Sequence, residues 1–185
     1  MCDCLRLPLV LGLVLLLAAC QDDPFQFNWE ENPREAVLFS LDRPEQNRAT
    51  GFEMLDGRSV VIEAPDAAGR WDFAVDRIDG HLYLVPPAAL GVVSRAGIVP
   101  IEGVGFDDVR EAPGDTLLYL VDEPVRASEG NVYVVRTREQ TGQFGQRCRF
   151  YGKLEPLDVD VELGRIEFRF DTSPDCNNRS LVPPR

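Results

Sequence analysis

A single histidine, a single lysine and no glycine-rich phosphate loop leave 185 residues with little of the usual catalytic equipment. A hydrolase needing an imidazole base would have to use His81. Ser59, Ser94 and Ser128 sit in no G-x-S-x-G context that would make one of them its nucleophile. No C-x-x-C pair occurs, which argues against a zinc cage. Excess basic charge is also missing. Asp and Glu number 31 against 19 Lys and Arg, a formal charge of −12. Phosphate backbones call for a basic surface, so nucleic acid is not an expected partner. The basic residues are all arginine except Lys153. No amphipathic helix longer than two turns, internal repeat or second linker is evident, so the body of the chain reads as one domain.

What is present begins with location. Residues 9–17 form an apolar run too short to span a bilayer as a helix. Leu17-Ala18-Ala19-Cys20 follows, and residues 1–19 have the plan of a signal peptide. Leu17 to Cys20 resembles the lipobox of bacterial lipoproteins. That resemblance implies cleavage before Cys20 and acylation of its thiol, with each buried methylene contributing roughly 0.8 kcal/mol to anchoring. Gln21, in place of an aspartate, favours sorting to the outer membrane. Asp3 and Arg6 cancel, so the net charge stays at −12 after cleavage and lipid, not charge, holds the membrane. Residues 20–35 read as a lipidated tether. Within it Phe25, Phe27 and Trp29 alternate, either docking along the domain edge or meeting the membrane surface.

Of five cysteines, Cys2 and Cys4 leave with the signal and Cys20 takes lipid. Cys148 and Cys176 remain, an even number in an oxidising compartment, where a disulfide is expected over free or metal-binding thiols. The loop it closes has about 29 residues, for which the chain-entropy relation gives roughly 3.6 kcal/mol.

Residues 36–182 read as an all-β domain of about eight mostly antiparallel strands, a bent sheet or sandwich with few or no long helices. Strands are expected at 36–41, 58–63, 70–76, 81–85, 116–121, 131–137, 147–154 and 165–171. The last shows the pattern best. Ile166, Phe168 and Phe170 share one face while Arg165, Glu167, Arg169 and Asp171 share the other, the period of a half-buried strand. Asp79-Gly80 is a hairpin signal. Trp71, Phe73 and Val75 share parity, predicting Trp71 at the core centre with its indole nitrogen bonded to a carbonyl, and Asp72 and Asp76 on the wet face. Four prolines and five glycines between 86 and 114 predict a long irregular region, with one helical turn near 106–111. A region of that length in a compact domain is usually functional.

Several segments together resemble the HmuY-like family of bacterial surface lipoproteins. Trp71-Asp-Phe-Ala-Val75 resembles the family's Trp-Asp-hydrophobic-Ala-Phe strand, with Val75 replacing the aromatic. Phe106-Asp-Asp-Val-Arg-Glu-Ala-Pro113 is similar to its Phe-Asp-x-Val-x-x-Ala-Pro segment. Residues 132–137, 151–154 and 166–170 resemble its closing strands. The resemblance implies an all-β outer-membrane lipoprotein, and it raises haem capture between two axial side chains. The candidates here are His81 and Met54, neither in a motif that aligns with the family's ligands.

The expected function is therefore a lipid-anchored cell-envelope binding or scaffold protein, contacting the membrane through its lipid and an unknown ligand or envelope protein through its body. A haemophore-like carrier is the alternative. A hydrolytic enzyme comes third, resting on carboxylate pairs such as Asp107 with Asp108 or Asp72 with Asp76. Asp158, Asp160 and Glu162 alternate and read as a solvated strand face more readily than as calcium ligands.

Overall fold

The computed structural model describes residues 29–142 and 144–184. The lipobox-like segment Leu17 to Cys20, and Phe25 and Phe27, lie outside the described residues. The described residues hold twelve strands: β1 (Arg34–Phe39), β2 (Gly51–Glu53), β3 (Arg58–Val60), β4 (Phe73–Ile78), β5 (His81–Val85), β6 (Gly97–Ile101), β7 (Val125–Arg126), β8 (Val132–Arg136), β9 (Gln140–Thr141), β10 (Arg147–Cys148), β11 (Tyr151–Asp160) and β12 (Arg165–Ser173). All pairings are antiparallel. One five-stranded sheet runs β1-β12-β11-β8-β6, a second runs β3-β2-β4-β5-β7, and β9-β10 forms a small ribbon. Among the described residues no helix is long and apolar enough to cross a membrane.

The two large sheets pack face to face. Phe52 from β2 sits between Phe168 and Phe170 of β12, with ring centroids 5.1 and 4.7 Å away and edge-on geometry. Such pairs add about 0.5–1.5 kcal/mol each beyond the area they bury. Around them Leu38, Phe73, Val75, Leu84, Leu154 and Ile166 are fully buried. Asp79 and Gly80 both have positive φ, 50° and 74°. These are the values an Asp-Gly hairpin turn needs, and they set the β4–β5 register.

A second core lies on the opposite face of the β8 sheet. Val132 and Val134 point away from the sandwich, and Tyr151, Val99, Phe106 and Leu181 close over them. Every residue of β8 is consequently buried. A single wet face was expected for this sheet, and it survives only toward its β12 side, where Arg165, Glu167 and Arg169 are half-exposed. The cover is the 86–122 region together with the C-terminal segment.

That region contains a strand the proline pattern concealed. β6 holds Pro100 and ends the sheet beside β8; on its other side only Ile98 pairs, with Leu120, so Pro100 lies on an edge strand, where proline is tolerated. Phe106–Asp108 is a 3-10 turn, near where a turn was expected. Residues 116–121 do not make the expected strand. Asp115 accepts a bond from the Leu117 amide and starts a 3-10 turn at Thr116–Leu118, and only Leu120 then pairs, with Ile98. The predicted strand at 147–154 is broken at Arg149–Phe150, where the chain passes from the ribbon into β11.

Candidate functional site

A cleft of about 590 Å³ opens on the outer face of the β8 sheet, and three arginines line it: Arg95, Arg136 and Arg149. Tyr119, Leu117 and Val121 supply its apolar wall, with Thr116 at the edge. Among the described residues no carboxylate lines it, although Glu139 reaches Arg149 from outside the lining.

Arg136 is the deepest of the three. It ends β8 on the same face as Val132 and Val134, and it is 5% exposed. Its Nε donates to the Arg95 carbonyl at 3.2 Å, and its guanidinium lies over the Tyr119 ring, 4.5 Å from the centroid. Stacking of this kind is worth about 0.5–2 kcal/mol, more as water is excluded. Among the described residues Arg136 has no acidic partner within ion-pair distance. Burial, and then the nearby Arg149, push its pKa downward, although a guanidinium remains charged.

Tyr119 holds its place through its hydroxyl, which donates to the Pro113 carbonyl at 3.0 Å. Burial, with the neighbouring Tyr151, pushes its phenol well above the ordinary value, so it stays neutral. Arg149 is fixed from behind. Asn177 accepts from the Arg149 amide (3.0 Å) and donates its own amide to the Arg149 carbonyl (2.9 Å), while its side-chain amide reaches the Arg147 carbonyl. The disulfide Cys148–Cys176 joins the same two segments, with Cα atoms 5.0 Å apart. The expected bridge is therefore present, and Cys148 is buried at 1%. The bridge anchors the backbone that carries Arg149. Arg149 and Arg147 share one carboxylate, Glu139.

A neighbouring cleft of about 370 Å³ shares Arg95 and is lined by Trp71, Val92, Val93, Arg138 and Glu139 among others. Trp71 is buried, as expected, but not at the core centre. It precedes β4 and walls this side cleft, and among the described residues its indole nitrogen makes no bond to a carbonyl. Asp72 overturns the assignment of faces more sharply. It is fully buried, accepting from the Met54 amide (2.9 Å), the Arg138 amide (2.8 Å) and the Arg138 guanidinium (3.2 Å). The alternation misled because both faces of β4 are covered at its start: Phe73 and Ala74 are each buried. Burial pushes the Asp72 carboxyl above the usual carboxylate range, against the pull of Arg138. Glu53, 3.4 Å from Arg138, is shifted the same way by burial and by Asp56.

The other candidates disperse. Met54 has no exposure and packs within the intersheet core. His81 sits half-exposed beyond the Asp79-Gly80 turn, 3.0 Å from an Arg126 nitrogen. Met54 lies next to Asp72 at one end of β4, whereas His81 pairs with Ile78 at the other. Six residues of strand separate those ends, about 20 Å, so the two do not converge on one iron. Asp158 pairs with Arg165, and Asp160 accepts from the Leu163 amide to close the β11–β12 turn. Asp76 bonds Ser40 and does not meet Asp72. Among the described residues no three His, Cys, Asp or Glu side chains gather as metal ligands.

The arginine cleft was absent from the sequence reading, though one signal was available. Both faces of 132–136 are apolar up to its last residue, so Arg136 had to enter a buried strand as an outlier. No protein-family model matches the chain, and no curated protein matches it.

Proposed function

We propose that the protein is a lipid-anchored binding protein of the bacterial cell envelope, of the HmuY-like type, with its ligand held in the cleft lined by Arg95, Arg136 and Arg149. Leu17 to Cys20 supports the anchor, and the Cys148–Cys176 bridge suits an oxidising compartment. The single observation that carries binding is Arg136, a nearly buried cation facing a cleft that offers it no carboxylate. Catalysis is less well supported by the same geometry. The most perturbed carboxylates, Asp72 and Glu53, are engaged by Arg138 and backbone amides, not aimed at a reacting centre.

Two measurements test this. Cys20→Ala should leave the protein unprocessed or release it from the membrane fraction. Normally processed, membrane-bound mutant would defeat the anchor. A thermal-shift screen against anionic, neutral and cationic small molecules should find a stabilising compound for the wild type and none of that effect in Arg95→Glu, because only native-state binding raises stability. Equal stabilisation of both proteins by every hit would remove the cleft as the site.

A further inference from the structure

The chemistry of the cleft goes further and names a ligand class. One edge of the Arg136 guanidinium is occupied by the Arg95 carbonyl and one face by the Tyr119 ring, while its Nη groups have no protein acceptor among the described residues. A buried charge without an opposite charge costs free energy. Of its neighbours, Arg149 is already paired with Glu139, whereas Arg95 has no ion pair among the described residues and adds to the unbalanced charge. An oxyanion between the three would reverse it, and a planar guanidinium fork suits carboxylate and phosphate oxygens alike. Apart from Thr116 the rest of the wall is Tyr119, Val121 and Leu117, the last 89% exposed at the rim. A volume of about 590 Å³ fits a small molecule.

We propose that the cleft binds a small amphiphilic oxyanion, its carboxylate or phosphate head held by Arg136, Arg95 and Arg149 and its apolar part laid against Tyr119, Val121 and Leu117. The inference rests on the reading of the protein as a binding module and narrows its ligand. The site is pre-organised. Asn177 and the disulfide fix the Arg149 segment, and the stack on Tyr119 fixes Arg136, so the ordering that opposes association falls mainly on the exposed Arg95.

Isothermal titration calorimetry with hexanoate, hexyl phosphate, hexanol and hexylammonium decides it. At least one of the two anions should bind saturably at one site, and hexylammonium should not. Arg136→Gln and Arg95→Ala should each weaken that anion roughly tenfold or more, the loss expected for a charge-assisted bond. Arg95 is exposed, so its variant reports on the cleft even if Arg136→Gln folds poorly. The tighter anion identifies the head group. Anion affinity unchanged in Arg95→Ala, no saturable anion binding, or hexylammonium binding as tightly as the anions would each overturn the proposal. Hexanol binding that is lost with Arg95 while the anions fail to bind would sink the oxyanion and leave the binding module standing.

Discussion

Gly97 lies directly opposite Arg136 in the β6–β8 pairing. A Cβ at Gly97 would stand 3.0 Å from the Tyr119 Cβ and the Val121 Cγ1, and 3.2 Å from the Leu120 carbonyl. The missing side chain is what lets residues 119–121 lie across the sheet edge and bring the Tyr119 ring to Arg136. Gly97→Val should therefore displace that segment. We expect a stability loss of about 1–3 kcal/mol, typical of overpacking, together with loss of anion binding. Denaturant unfolding and calorimetry on the same preparation check both. Unchanged binding would show that the segment does not need this close approach.

Asp72 gives a pH signature. Its folded-state carboxyl is pushed above the ordinary value by burial. The folded state then holds the proton more tightly than the unfolded chain, so stability falls as pH rises from the unfolded pKa through the raised folded one. Asp72→Asn removes that contribution. The stability difference, wild type minus Asn variant, should decline from about pH 4 upward and level off above the folded pKa, as read from urea midpoints between pH 4 and 8. Asp72→Ala should cost more than Asp72→Asn, about 1–3 kcal/mol for each donor left unmet, since the Met54 and Arg138 amides both lose their acceptor.

Cys148→Ala should lower stability by roughly 2–5 kcal/mol. It should also weaken anion binding, because Arg149 follows the bridge directly. Peptide mapping without reductant should find the Cys148 and Cys176 peptides joined. Full alkylation of both thiols in native protein would contradict the structure.

Lys153, the one lysine, is 1% exposed. Its ammonium donates to the Val109 carbonyl at 3.2 Å, lies 4.6 Å from the Phe106 ring centroid, and has Glu31 at 3.9 Å. Burial lowers its pKa, with Glu31 opposing. An amine-reactive ester should leave Lys153 unmodified in the native protein and label it after unfolding, as mass spectrometry would show. Rapid native labelling would mean that the Phe106 turn opens readily.

Legibility in the sequence followed burial. The alternation of Ile166, Phe168 and Phe170, the Asp79-Gly80 turn and the cysteine pair were readable because one face meets core and the other water, or because a turn has its own chemistry. Reading failed where both faces are covered. Asp72 and Lys153 occupy positions that alternation assigns to solvent; Arg138 closes on Asp72, and the Phe106 turn covers Lys153. β6 was hidden because Pro100 argues against a strand in general but not against an edge strand. Apart from Arg136 ending an apolar strand, the arginine cleft left no mark in the sequence, for a related reason. Arg95, Arg136 and Arg149 come from three segments that meet only through pairing, and Gly97, which makes room for Tyr119, has no side chain to signal it.

The gathering of arginines at one cleft makes this acidic chain electrically lopsided, and an incoming anion meets two fields of opposite sign. At long range it approaches a body of net charge −12 and is repelled. Within the cleft it is attracted. Screening removes the first before the second, since the Debye length is about 8 Å at physiological ionic strength and the cleft acts at contact distance. Association should therefore accelerate as salt is raised from low values and slow again only when the contacts themselves are screened. The same arrangement selects by total charge. A monoanion with an apolar tail passes the outer field easily, whereas a polyanion carrying the same head group is held off.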